Sequence, residues 1–228
     1  MLTIHGKGGH GRVVADACME TFRFTDDADG TRPKPLEMFI VAIGDNRIRR
    51  ALRGTVNVVH RMATIAGDVS LGRGIYIGAR AVVNPGAEIR HGAIINTGAI
   101  VEHDCDIGEY SHIAPGAVLC GGVTVGEEAF VGAGAVVREG IHIGDRAIIG
   151  CGAVVIKDIP ADEVHVGCPA RFLRKVTEGE GGGIGPGRGG VSPGIRPWPV
   201  PLPDCMNGEL YGDGESSVPG TGDDTCGS

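Results

Sequence analysis

The sequence predicts a mainly β protein, a three-sided parallel coil preceded by a small α/β segment. Three observations lead there. Branched aliphatics recur every six residues without a slip, aromatic side chains are only 4% of the chain, and a glycine-rich turn near the start separates an apolar run from a helical one.

The repeat comes first. Steps of six from Ile65 give Leu71, Ile77, Val83, Ile89, Ile95, Val101, Ile107, Ile113, Leu119, Val125, Val131, Val137, Ile143, Ile149 and Val155. Two residues ahead of many of these sits a small side chain: Ala81, Ala87, Ala93, Ala99, Cys105, Ser111 and Ala117. Neither strand alternation nor a 3.6-residue helix holds such a register for so long. A prism does, if each flat face turns one large and one small residue inward. The glycine or asparagine just after the aliphatic (Gly72, Gly78, Asn84, Asn96, Gly108, Gly126, Gly132) is expected to turn the corner with positive φ. Three hexads close one turn, so residue n lies one strand spacing, about 4.8 Å, from residue n+18. Burial worth about 1.5–3 kcal/mol per large aliphatic makes a chain with 41 glycines stable without an aromatic core.

Four segments are expected. Residues 1–62 read as a small β-α-β, Rossmann-like nucleotide-binding domain: "LTI" is a strand, "GKGGHG" a turn, "RVVADACM" a helix, "FRFTDD" and "MFIVAIGDN" further strands, and "RIRRAL" a second helix. Residues 63–158 are the coil and 159–176 its cap, because a solenoid needs its open end covered. Residues 177–228, rich in Gly and Pro, are expected to form a disordered tail.

Composition restricts the function classes. With 28 acids against 21 bases and a net charge of −7, nucleic acid and anionic membrane are poor partners. No apolar run reaches the ~18 residues of a membrane span. The start, "MLTIHGKGGHG", lacks the apolar stretch of a secretory leader. Seven cysteines without a CxxC pair suit a reducing compartment, and a cytoplasmic location is expected.

Two places carry chemistry. Gly6, Gly8 and Gly11 form G-x-G-x-x-G between strand and helix, where backbone N–H groups and a helix N-terminus meet a phosphate. Asp26 and Asp27 end the next strand, where acids hold ribose hydroxyls. Some sixty residues suit a sugar-bearing mononucleotide diphosphate better than NAD. The second place is "VEHDCDIGEY": His103 stands at an outward position between Glu102 and Asp104. Adding eighteen gives Gly121, whose peptide is expected one strand spacing away on the same face. An imidazole base beside a bare peptide N–H is the pairing acyl transfer requires. Cys105 falls in an inward slot. Cys120, next to Gly121, is the competing nucleophile.

"GKGGHGRVVAD", "TDD", "VAIGDNRIRR", "VNVVHRMA", "VEHDCDIGEYSHIAPGA" and "VGCPAR", in that order, resemble the sugar-nucleotide acetyltransferases that act on UDP-linked 4-amino sugars, and their sialic-acid O-acetyltransferase relatives. The resemblance implies a left-handed parallel β-helix of hexapeptide repeats and a homotrimer with sites between subunits. It implies acetyl-CoA as co-substrate, no metal, and a role in surface-glycan synthesis. It assigns His103 as general base, Asp104 as its helper and Gly121 as an oxyanion contact. His112, Ala133 and Cys151 would hold acetyl-CoA, and Gly8, Gly9, His10, Asp26, Asp27 and Gly44 the nucleotide sugar. Three alternatives stand beside this reading: a sugar O-acetyltransferase, a trimeric scaffold that only senses a sugar nucleotide, and a γ-type carbonic anhydrase. The last needs a pair of histidines close together on one strand, which His91, His103, His112 and His142 do not form.

Overall fold

A computed structural model describes residues 1–18, 21–26, 30, 31, 33, 38–177 and 180. Asp27 and nearly all of the expected tail lie outside the described residues. The N-terminal part contains β1 (Leu2–His5), α1 (Gly9–Ala17), β2 (Phe22–Thr25), β3 (Phe39–Val41) and α2 (Asn46–Leu52). The three strands form a parallel sheet in the order β2-β1-β3. Central β1 is buried along its whole length, polar Thr3 and His5 as fully as Leu2 and Ile4.

α1 begins at Gly9, three residues before the expected "RVVADACM" helix, and ends before Cys18. The glycine motif explains the early start, and its members differ in kind. Gly6 has φ of 116°, and a Cβ on Gly11 would lie 1.9 Å from the Gly6 carbonyl oxygen, so these two let the helix settle onto the turn. Gly8 and Gly9 have open space where a Cβ would stand. Gly11→Ala is therefore expected to cost the N-terminal part about 1–3 kcal/mol by overpacking. Gly8→Ala should leave the chemical denaturation midpoint nearly unchanged. At α2, Asp45 is the N-cap: its Oδ1 accepts from the N–H groups of Arg47 (2.9 Å) and Ile48 (3.1 Å).

The coil has three faces, each a stack of two-residue parallel strands repeating every eighteen residues. Face I runs from Val58–Val59 through Tyr76–Ile77, Ile94–Ile95, His112–Ile113 and Phe130–Val131 to Ile148–Ile149. Face II runs from Thr64–Ile65 through Ile100–Val101 and Val118–Leu119 to Val154–Val155. Face III runs from Ser70–Leu71 through Asp106–Ile107 to His142–Ile143. Val59 thus continues the aliphatic ladder one hexad before Ile65. From Ile77 onward every ladder residue is at most 1% exposed, and the small inward residues pack beside them. Over the last coil, Glu163–Val166 pairs with Ile148–Ile149, and Arg171–Lys175 folds back against it.

The corner rule differs from expectation. Positive φ falls three residues after the aliphatic, as at Arg80, Gly86, Gly98, Asp104 and Gly122, and not at the residue just after it. Gly72, Gly78, Gly108, Gly126 and Gly132 are bare for another reason. A Cβ on any of them would come within 2.5–2.8 Å of backbone atoms in the next coil. They permit close stacking of coils, and the turn itself is made two residues later.

The outward residues give each face its character. Val58, Tyr76 and Ile94 of face I pack under Leu2, Ile4, Val14 and Ile40 of the N-terminal part. Face III presents Ser70, Glu88, Asp106, Thr124 and His142. Face II presents Val82, Ile100, Val118, Val136 and Val154, half-buried or exposed. Among the described residues no helix is long and apolar enough to cross a membrane.

Candidate active site

His103 and Asp104 form the two-residue corner between faces II and III. The corner is held from both sides: the Asp104 N–H donates to the Pro85 carbonyl at 3.0 Å, and the His103 carbonyl accepts from Gly122 N–H at 2.9 Å. Asp104 occupies the left-handed position with φ of 58°, while its counterparts one coil away on each side are Gly86 and Gly122. An L-residue there is strained, though Asp tolerates it better than most. The carboxylate lies against the imidazole, with Asp104 Oδ2 2.8 Å from His103 Nδ1.

That contact fixes the ring. Asp104 accepts only, so Nδ1 carries the proton and Nε2 is left as the basic nitrogen of the neutral imidazole. The hydrogen bond to Asp104 raises the His103 pKa, burial opposes it, and the charges of Asp104 and Glu102 add to the rise. Glu102 acts at a distance because its carboxylate is bonded to Asn84 Nδ2 at 2.9 Å. Both corner side chains are exposed, 63% for His103 and 72% for Asp104.

The structure brings Gly121 directly to this ring. A Cβ on Gly121 would sit 2.5 Å from His103 Nε2 and 2.6 Å from Cε1, so the imidazole occupies the space a side chain would fill. The Gly121 N–H makes no hydrogen bond among the described residues. Gly121→Ala is expected to push the ring aside, since a flexible side chain yields before backbone does. Thermal stability should stay within a few degrees while kcat falls about 10²-fold, the cost of a misplaced catalytic group. Cys105, 1% exposed, donates its thiol to the Cys120 carbonyl, and burial pushes its pKa up to about 11. It packs the interior and is a poor nucleophile.

The expected sugar-nucleotide and cofactor residues open into one cavity of about 720 Å³. Gly8, Gly9, His10, Asp26 and Gly44 line it from the N-terminal part, and His112, Ala133 and Cys151 from the coil. Asp26 closes the glycine turn, its Oδ2 accepting from the Lys7 N–H at 2.8 Å. His112 projects outward from face I and is 7% exposed. Its Nε2 lies 3.0 Å from Asn96 Nδ2, and its ring meets Phe130 edge-on at 5.2 Å. Because the Asn96 amide donates, Nε2 accepts and the proton sits on Nδ1, which makes no hydrogen bond of good geometry. Burial, then the charge of Arg49, then His10 hold His112 well below the usual imidazole pKa, with the Gly44 carbonyl opposing. His10, at the start of α1, has an unpartnered Nε2, and burial followed by Arg49 lowers its pKa to about 4.

His103 does not line this cavity; it stands at the opposite corner of the prism from face I, so one chain does not bring His103 and His112 together. Sequence reasoning missed Asn96 as the partner of His112, Phe130 as cavity lining, and Arg49. Only Phe130 carried a signal, being a rare aromatic in an outward slot. Among the described residues no group of three or more His, Cys, Asp or Glu is placed to hold a metal ion.

The repeat and the comparisons together define an acyltransferase of the hexapeptide type. The sequence model "Bacterial transferase hexapeptide (six repeats)" matches residues 86–121 and 122–157, and "Hexapeptide repeat of succinyl-transferase" matches 68–103. Among solved structures, PerB from Caulobacter crescentus, in complex with CoA and GDP-perosamine, aligns with TM-score 0.71 and 36% identity, over 76% of this chain and 97% of that one. The acetyltransferase domain of PglB from Neisseria gonorrhoeae aligns with TM-score 0.70 and 34% identity, over 75% and 98%. WeeI from Acinetobacter baumannii gives TM-score 0.61 and 25% identity, over 76% and 99%. The chain belongs to the hexapeptide-repeat family of sugar-nucleotide N-acetyltransferases.

Proposed function

We propose that the protein moves an acetyl group from acetyl-CoA to the amine of a nucleoside-diphosphate-linked amino sugar, with His103 as general base. The observation that carries this is the fixed tautomer at the corner. Asp104 holds the proton on Nδ1, and Nε2 faces the space over Gly121 where an acceptor amine would stand. The amine nitrogen attacks the thioester carbonyl, the C–N bond forms, and His103 Nε2 takes the amine proton. The tetrahedral oxyanion is met by the Gly121 N–H. The C–S bond then breaks, and the imidazolium returns its proton to the departing thiolate. Transfer is direct, without an acyl-enzyme.

The cavity supplies binding. Gly8 and Gly9 offer bare backbone and the N-terminus of α1 to the diphosphate, and Ala133 and Cys151 lie along the path proposed for the pantetheine arm. We place the working site between chains of a homotrimer of left-handed β-helices, supported by the aliphatic stripe of face II, which the described residues leave half-buried or exposed. The acceptor is taken as a UDP-sugar on the resemblance, with GDP- and dTDP-linked sugars as comparison arms because PerB was solved with GDP-perosamine. The N-acetyltransferase neighbours favour an amine over a hydroxyl. Free-thiol release and product mass, measured over a panel of UDP-, GDP- and dTDP-linked 4-amino sugars with acetyl-CoA, test the reading. One sugar should gain an acetyl group at its amine. Turnover only with a hydroxyl acceptor, or with none while both ligands bind, would overturn it.

A further inference from the structure

Arg49, on α2, is 1% exposed, yet among the described residues no carboxylate lies within ion-pair distance of it. Its donors are spent on uncharged oxygens instead. Nη1 reaches the Ile43 and Gly44 carbonyls, both at 3.0 Å, and Nε reaches the Gly92 carbonyl at 3.0 Å. Nη2 reaches Asn46 Oδ1 at 2.7 Å and the carbonyls of Tyr110 and Ser111 at 2.6 and 3.1 Å. Ile43 and Gly44 form the cavity wall contributed by the N-terminal part, while Tyr110 and Ser111 lead directly into His112. One rigid, planar group therefore ties the wall to the strand that carries His112. The His10 and His112 rings face the cavity with centroids 6.1 Å apart; His10 Nε2 is buried without a partner, and buried His112 Nδ1 has only a poorly aligned Gly44 carbonyl.

We propose that Arg49 is a positioning residue: it locks the Ile43–Gly44 wall against the His112 strand and sets a permanent charge behind the His10–His112 pair, so that the ligand meets two neutral imidazoles. A cavity meant for an acyl carbonyl and sugar hydroxyls needs neutral donors and acceptors here, since a charged ring would have to be desolvated at each binding event. Tyr76 meets His10 edge-on from face I at 5.4 Å, Arg49 acts on both rings from α2, and Asp26, Asp45 and Cys151 line the same cavity. Asp45 and Glu128 favour the charged state of Arg49, whose pKa burial pushes down to about 9, so it stays a cation at neutral pH. Burial is the larger cause of the lowered imidazole pKa values, and Arg49 is the second.

The ligand role rests on the proposed function; the charge role does not, and the test separates them. Imidazole NMR titration of the ligand-free protein from pH 3.5 to 8 is read for the wild type, Arg49→Lys and Arg49→Met. The His10 midpoint should be higher in Arg49→Met than in the wild type and Arg49→Lys, while staying below the usual imidazole value because burial is retained. Transfer by Arg49→Met should fall about 10²-fold through the displaced wall, with partial recovery in Arg49→Lys. Should Arg49→Met fail to fold, Arg49→Gln, which keeps two donors without charge, gives the same reading. An unmoved His10 midpoint in a folded, uncharged variant would overturn the proposal, as would rings that titrate at the usual imidazole value in the wild type. A midpoint raised in Arg49→Met, with a wild type inactive on every acceptor, would instead remove the acetyl-transfer reading and leave Arg49's charge role standing.

Discussion

Replacing His103 by alanine is expected to lower kcat by about 10²–10⁴-fold, the range for loss of a positioned general base. The fold should be untouched, because the side chain is 63% exposed, hydrogen-bonds Asp104 and otherwise lies over bare Gly121. The pH profile gives a second readout. His103 works as a base only when neutral, and Asp104 raises its pKa above the usual imidazole value. The rate should therefore climb with pH through a midpoint higher than about 6.5. Asp104→Asn removes the stabilising charge, so the midpoint should move to lower pH while the plateau falls with the weaker base. Thiol release measured between pH 5.5 and 9 checks both. A correctly assembled His103→Ala protein with an undiminished plateau would remove this residue from the chemistry.

Val118→Glu on face II should dissolve the proposed homotrimer. The residue points outward and is half-buried within its own chain, so a carboxylate there is harmless to the isolated prism. In an interface built on the stripe of Val82, Ile100, Val118, Val136 and Val154, the same charge would be buried without a partner, a cost of several kcal/mol per subunit. Sedimentation velocity is expected to show monomers in place of trimers. Activity should drop at least about 10²-fold if, as proposed, the working site is shared between the His103 corner of one chain and the His112 cavity of another. Thr124→Glu on polar face III should change neither mass nor rate. An active monomer would show that one chain suffices.

The coil was legible in the sequence because its burial pattern is one-dimensional: each aliphatic between Ile77 and Val155 had to meet its equivalents eighteen residues away. The juxtaposition of His103 with Gly121 followed from the same arithmetic. The corner chemistry was less legible. Glycines after the aliphatics were read as φ-driven, whereas a steric contact with the next coil accounts for them, and composition alone does not separate the two causes. Arg49 could not be read at all. A guanidinium satisfied by carbonyls leaves no charged partner in the sequence, and those carbonyls come from Ile43, Gly44, Gly92, Tyr110 and Ser111, brought together only by folding. Nor did spacing show that the glycine turn and His112 share one cavity, since that depends on how the N-terminal part seats on face I.

The strict recurrence at eighteen residues, paired strand by strand from Thr64 to Val155, makes the prism a ruler. Duplicating one whole turn between Val137 and Ile143 would lengthen the column by about 4.8 Å and leave every later side chain on its own wall. Adding a single hexad there would rotate everything downstream by a third of a revolution, carrying Ile148 and the closing hairpin to a different wall. Length is thus freely adjustable in this architecture only in whole turns, and any smaller insertion must leave the column as a loop at a corner.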